Sequence, residues 1–353
     1  MKTIKIKFVG FWSDFNYKEQ HIYKLLTKHY DVQVVERDED AEYIICSVFG
    51  KRYAYCRYPQ VRIMYVGENY IPDFNLVDYG ICNYPIKLQD RAFYFPFCLD
   101  EFGHCESLES KDRNYSSDIL RDKVHFANFI AGHESENSIR GDFFKRLSSE
   151  YKRVESVGSY LNNQPDGMRV EWSNDSKRAF QSKCKFTLCF ESTKHEGFVT
   201  EKIVDAFYAD TIPIYYGSDS VKEIFNERAF INVADYPDFE SVLEKIKELD
   251  SDDEKYMAML REPIFVNPSF PTDALSDLEE YLCSIFDRPI EEAYRRSRVY
   301  TPRDIGCYLS KSFTVDTASL GTAISIVLLK IKAIICWPFK MLRLLHRKVS
   351  NKK

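Results

Sequence analysis

The sequence predicts an α/β protein built from two doubly wound domains and closed by a basic amphipathic tail. Three observations predict it. Short β-like runs alternate with helix-like runs through the first third, the same alternation resumes after a polar break, and the composition changes abruptly past Asp316. The first series opens with TIKIKFV, where Ile4, Ile6 and Phe8 alternate with lysines as a strand requires. YKEQHIYKLLTKHY follows with Ile22, Leu25 and Leu26 at helical spacing, and DVQVVE, EYIICSV, RIMYV and VDYGIC read as further strands. The run ESLESKDRNYSSD over residues 106–118 is polar and reads as a linker. Beyond it come HFANFIAG, a helix from about Ser138, RVESVG, another helix, KFTLCFE, a helix over Thr200–Ala209, TIPIYYG, a short helix, RAFINV and the helical DFESVLEKIKEL. The expected organisation is a domain over 1–115, a second over 116–300 and the tail over 301–353, with a ligand cleft between the domains.

Composition narrows the function classes. At 353 residues, 44% hydrophobic and 29% charged, the chain has room for two globular domains. Its 24 Tyr and 26 Phe suit sugar stacking and a bulky core equally well. The net charge of −5 conceals a division: the tail beyond Asp316 carries eight Lys or Arg and no acid, which leaves the body strongly acidic. Such a body argues against nucleic acid as a partner, while the tail suits an anionic surface. The ten cysteines form no C-x-x-C pair and no zinc-type cluster, and several, such as Cys46 and Cys189, sit in apolar runs. Buried free thiols in a reducing compartment are expected. MKTIKIKFVGFW has no secretory h-region, so the expectation is a cytosolic body.

The densest segment is CKFTLCFESTKHEGFVTEKIVDAFYADTIPIYYGSDS, residues 184–220. A strand should end at Phe190, a loop should cross to Gly197, and a helix should start at Thr200, its hydroxyl capping the first turn. Ligands of doubly wound sheets lie beyond strand C-termini near helix N-termini, so Glu201 could meet ribose hydroxyls and Lys202 a phosphate. Taken alone, T-E-K reads rather as a capped surface helix with a solvated Glu-Lys pair. His195 and Glu196 fall in the intervening loop, either solvated or at the rim of a donor site.

The string F-E-S-T-x-x-x-G-F-V-T-E-K-I-x-D-A, followed by I-P-I-Y-Y-G-S, resembles the nucleotide-binding signature of the bacterial-type α1,3/4-fucosyltransferases. VGENYIPDFNLVDYGICNYPIKLQDRAFYFPF over 66–97, FWSDF and HFANFIAG…SIR resemble other blocks of that family in the same order, so the similarity spans about residues 3–270. The resemblance implies a GT-B architecture and inverting transfer of fucose from GDP-fucose to an oligosaccharide of N-acetyllactosamine type on a surface polysaccharide. It assigns Glu68 of G-E-N as general base, Arg140 of S-I-R and Lys202 as charge on the leaving GDP, and Glu201 as ribose ligand. Ser192 and Phe198 stand where the family often has Asn and Tyr, and Phe198 lacks a phenol. No metal or other cofactor is expected. Asp38-Glu39-Asp40 and Asp250-Ser251-Asp252 have D-x-D spacing but read as solvated acidic turns outside the signature. Asp73, Asp78 and Asp90 are the other carboxylates near Glu68 in sequence. The alternatives are a transferase of the same fold with another donor, and a non-catalytic carbohydrate-binding protein at a membrane.

In the tail, residues 317–329 are uncharged but too few to span a bilayer. Beyond Pro338, Phe339, Leu342, Leu345 and Val349 share one helical face, with Lys340, Arg343 and Arg347 on another. A basic amphipathic helix lying on anionic lipid at the inner face of the membrane is expected, and a helix docked on the body is the other reading.

Overall fold

The computed structural model describes residues 1–49, 53–100, 105–134, 139–171 and 173–296. The tail, with its expected in-plane helix, lies outside the described residues. Among them no helix is long and apolar enough to cross a membrane.

The first half is a six-stranded parallel sheet. Its strands are β1 (Lys2–Val9), β2 (Tyr30–Val34), β3 (Tyr43–Cys46), β4 (Val61–Val66), β5 (Tyr79–Cys82) and β6 (Ala92–Tyr94), in the spatial order β2-β1-β3-β4-β5-β6. In β1 the alternation is realised, with Ile4 and Ile6 fully buried between exposed Thr3 and Lys5. The inner strands β3 and β5 are buried on both faces, as a parallel sheet covered by helices demands. Helix α1 (His21–His29) supplies Ile22, Leu25 and Leu26 to one cover.

The second half starts with the short helix α2 (Ile119–Asp122) and contains β7 (His125–Phe129), α3 (Ile139–Glu150), β8 (Val154–Ser156), α4 (Asn174–Gln181) and β9 (Cys184–Phe190). It continues with α5 (Glu201–Tyr208), β10 (Ile212–Tyr216), α6 (Val221–Ile224), β11 (Ile231–Asn232), α7 (Phe239–Ser251) and α8 (Asp253–Leu260). Its five parallel strands run β11-β10-β9-β7-β8, so the order reverses between β7 and β9.

Strand β6 and helix α9 (Phe270–Phe286) are among the elements with no counterpart in the sequence reading. Strand β6 is a three-residue edge, half-buried and without a period, inside the aromatic run RAFYFPF. Helix α9 is long and amphipathic. Residues 270–293 fall in the stretch that sequence groups with the second half, yet they pack on the first. Phe286 lies 4.5 Å from the Tyr43 ring, Leu278, Leu282 and Ile285 join the core of the first sheet, and the short α10 (Ile290–Ala293) follows there. The physical reason is that β1–β6 expose an apolar face that α1 alone does not cover. The outward linker and this return are tied together, because Glu109 accepts hydrogen bonds from Thr272 N (2.7 Å) and Oγ1 (2.8 Å). Arg288, before α10, and Arg295, after it, bind Asp90, and the backbone amides of Arg295 and Arg296 donate to the fully buried Asp78.

All eight described cysteines are free, and six are buried.

Candidate active site

The strand order reverses between β7 and β9, and beyond the C-terminal ends of strands at such a switch point doubly wound sheets bind their ligands. At the end of β9 the Glu191 amide extends the ladder to Tyr216 O (2.9 Å), which turns the side chain inward. That carboxylate has no exposed surface, and it accepts from Thr200 N (2.8 Å), Thr200 Oγ1 (2.7 Å) and Lys202 Nζ (3.1 Å). The expected cap is therefore different. Thr200 does precede α5, but its hydroxyl donates to Glu191 rather than capping the helix, and accepts from Lys202 Nζ (2.8 Å). Lys202 also lies 3.6 Å from Glu201, so the T-E-K triplet forms one network with Glu191, not a solvated surface pair.

The charges are interlocked. Burial pulls the Lys202 ammonium down, but the carboxylates of Glu191 and Glu201 outweigh it and hold it above its usual value. Burial pushes Glu191 up, against the pull of Lys202. For Glu201 burial acts upward too, yet Lys202 and Lys177 bring the net shift down. The site thus presents a firmly protonated ammonium beside an ionised carboxylate at the N-terminus of α5, a surface suited to a phosphate next to a hydroxylated ring.

Arg140 stands across the switch point, in the first turn of α3 that follows β7. It is buried, donates from Nη2 to His133 O, and lies 5.8 Å over the Tyr160 ring, while its Nε has no partner among the described residues. Its charge reaches Lys202 and Glu191. Two cations thus stand on the two sides of the switch point: Arg140 with an unpartnered Nε among the described residues, and Lys202 held between Glu191 and Glu201.

Glu68 follows β4 in the other half and is exposed. It stands at a cavity of about 180 Å³ lined largely by aromatic rings, among them Phe11, Trp12, Phe49, Tyr65 and Phe97, with Gln20 and Ser47 as polar lining. These residues belong to or follow β1, β3, β4 and β6, so the cavity sits at the C-terminal edge of the first sheet. Gly67 is required there, because a Cβ would run into the Phe97 ring. Below Glu68, the buried Asn83 donates from Nδ2 to the carbonyls of Gly67 and Glu68 (3.2 Å to the latter). Among the other nearby carboxylates, Asp78 and Asp90 are committed to the arginines of the C-terminal return, and Asp73 closes the turn at Asn75 (3.0 Å). Glu68 alone of the four lines the cavity.

The two C-terminal edges meet at a seam. His195, expected to be solvated or at a rim, is half-buried and stacks on Tyr84 with centroids 3.9 Å apart and planes 9° from parallel. Phe198 is buried 4.8 Å from the same imidazole, so the phenol-less position serves as seam packing. Gly197, at φ +84°, lies so close to the first half that a Cβ would collide with Asn83 O. Its carbonyl accepts from Tyr94 OH (3.0 Å), its amide donates to Ser218 and Ser220, and Val199 O accepts from Cys98 N (2.8 Å). Ser192 is half-buried where the loop begins.

Neither D-x-D is a free ligand pair. Asp38 pairs with Lys7 (3.0 Å), Asp250 with Lys152 (2.5 Å) and Lys185 (3.1 Å), and Asp252 caps α8. Sequence reasoning omitted three residues that shape the site: Glu191, Asn83 and Tyr84. Glu191 stands in the F-E of the signature and could have been flagged as an acid closing a buried strand. Asn83 and Tyr84 carry no signal of their own, because their role depends on which loops the fold brings together.

Comparison with known proteins converges on one group. Residues 120–286 match the model of glycosyltransferase family 10 (fucosyltransferase), C-terminal part, and residues 6–99 match the alpha-(1,3)-fucosyltransferase FucT N-terminal domain. An alpha-(1,3)-fucosyltransferase FucT of Helicobacter pylori is 31% identical over 295 residues, 73% of this chain and 60% of the relative. The chain thus spans about three-fifths of that relative's length. A crystal structure of an α1,3-fucosyltransferase superposes with a TM-score of 0.68 at 27% identity, covering 85% of this chain and 93% of the other. One described with GDP-fucose gives 0.63 at 27%, covering 80% and 90%.

Proposed function

Because the chain belongs to the glycosyltransferase family 10 fucosyltransferases, with their two parallel-sheet α/β halves of GT-B type, we propose that it transfers fucose from GDP-fucose to an oligosaccharide hydroxyl. The observation that carries this reading is the placing of Arg140 and Lys202 on the two sides of the β7/β9 switch point, beside Glu201. Nucleotide-sugar transfer needs positive charge where the diphosphate departs. A structural relative solved with GDP-fucose, 27% identical, supports the choice of donor.

In this reading the ribose hydroxyls bind Glu201, and the diphosphate lies between Arg140 and Lys202. A single acceptor sugar occupies the aromatic cavity, its CH face against a ring, with the attacking hydroxyl at Glu68. Glu68 takes the proton as the oxygen attacks the anomeric carbon, and GDP leaves with inversion. Stabilisation of the leaving group rests on the two cations without a metal. The acceptor is of N-acetyllactosamine type, with an α1,3 or α1,4 linkage. The body faces the cytosol, and residues 301–353 hold it to anionic lipid at the inner membrane face.

The test is incubation with GDP-fucose and a panel of disaccharides, with and without excess EDTA, followed by linkage analysis of the product. A fucosylated product that forms equally in EDTA is expected. Transfer only from another sugar nucleotide would replace the donor assignment. Loss of activity in EDTA, recovered on adding metal back, would overturn the metal-free mechanism.

A further inference from the structure

The site just described is divided between two halves of the chain. Glu68 belongs to the loop after β4, whereas Glu191, Glu201 and Lys202 belong to the β9–α5 segment. Something must set their register, and the residues that do so lie on the seam.

On the first half, one short loop supports Glu68 twice. Asn83 holds the Gly67 and Glu68 carbonyls from below, and the next residue, Tyr84, donates its phenol to Asn69 Oδ1, the side chain adjoining Glu68. On the second half, the ring that Tyr84 meets is His195, in the loop between Glu191 and Thr200 of the Glu191–Thr200–Lys202 network. The imidazole is itself fixed. Its Nδ1 lies 2.9 Å from Glu196 O, and since a carbonyl only accepts, Nδ1 carries the proton. Nε2 is then a buried acceptor without a partner among the described residues, so the ring contributes through its face and not through a polar contact. Gly197, pressed against Asn83, brings the two loops close enough for the stack to form.

We infer that Tyr84 and His195 are positioning residues: their stacked rings register the loop bearing the base against the loop bearing the donor ligands. Neither touches the reacting atoms. The stack is the rigid spacer through which Asn69 and Glu68 take their place relative to Lys202. Its effect on turnover rests on the fucosyl-transfer reading, but its effect on the loop does not.

The experiment therefore has two readouts on the full chain. In His195→Ala, hydrogen exchange of amides 67–70 should accelerate at least tenfold, Tyr70 N (bonded to Glu68 O at 2.7 Å) among them, while amides of β1 keep wild-type rates. In His195→Phe, which retains a flat face, exchange should return to within about twofold of wild type. With GDP-fucose, kcat should fall about tenfold in the alanine variant at little changed donor KM and recover in the phenylalanine variant. Tyr84→Ala should lower kcat similarly, and the double variant should be no worse than either single one. Unaltered exchange at 67–70 in His195→Ala would overturn the inference whatever the wild-type activity, as would a phenylalanine variant as impaired as the alanine one, or additive losses in the double variant. If the loop responds as expected while the wild type moves no fucose, the registering role stands and the assigned reaction falls.

Discussion

At the scale of single residues, two carboxylates have opposite surroundings. Glu68 is exposed and lines the aromatic cavity, where the proposed reaction has it take a proton from the acceptor hydroxyl. Glu68→Gln keeps the shape and removes the acceptor of that proton, so kcat should fall by about 10²-fold or more while GDP binding, measured by calorimetry, stays at wild type. Undiminished kcat would remove Glu68 from the mechanism. Glu191 is sealed in and spends its lone pairs on Thr200 and Lys202. Glu191→Gln leaves an acceptor for the Thr200 amide but points no negative charge at Lys202. The loss of one charged hydrogen bond, about 1.5 kcal/mol, should raise the donor KM about tenfold with kcat less affected. The contrast marks what sequence conveys. Glu68, Arg140, Glu201 and Lys202 were named in advance because they sit in short strings whose order follows the chain. The pairing of Tyr84 with His195 could not be: His195 reads only as a loop histidine, solvated or at a rim, because a stack between loops some 110 positions apart leaves no local trace.

At the scale of elements, helix ends decide more than propensity does. α4 and α5 end side by side, and their terminal carbonyls receive one amine: Lys123 Nζ donates to Ser182 O (2.7 Å) and lies 3.4 Å from Ala209 O. Burial pushes this amine down to about 8, with Asp210 opposing. An unfolded lysine titrates near ~10.4. Between these values the unfolded chain binds a proton that the folded one lacks, so this group makes stability rise with pH across that window and costs as much as about 3 kcal/mol below it. Lys123→Met should remove that slope in paired urea melts at pH 7.5 and 10, and identical pH dependence in the two proteins would refute the assignment. The strands whose apolar residues alternate or run continuously, such as β1, β3, β4, β9 and β10, were legible from period alone. β6 was not, since three half-buried residues at a sheet edge carry no period. The spacing of Leu278, Leu282 and Ile285 marks α9 as a helix, but nothing in it names the sheet it covers.

At the scale of the whole molecule, the tail and the body make separable demands. If residues 317–353 bind lipid, each Lys or Arg near an anionic surface contributes about 1 kcal/mol. Truncation after Asp316 should then release the protein from anionic vesicles in co-sedimentation while kcat is unchanged. A drop in melting temperature and activity instead, with no vesicle binding by the full chain, would show a docked helix. Within the body, the first sheet's apolar face is completed by α9, residues 270–286, and its buried Asp78 by the amides of Arg295 and Arg296. This has a consequence for synthesis on the ribosome. The last strand of the first sheet ends at Tyr94, so its exposed face waits for roughly 190 further residues, about 10–40 s at ordinary elongation rates. The second sheet, whose strands and covering helices lie contiguously between Ile119 and Leu260, can close before the first. Nascent chains arrested with residue 265 outside the exit tunnel should therefore yield a protease-resistant fragment over about 115–260, while residues 1–100 are still cleaved. The half made earlier would be the last to fold, and its open face is where a chaperone would bind.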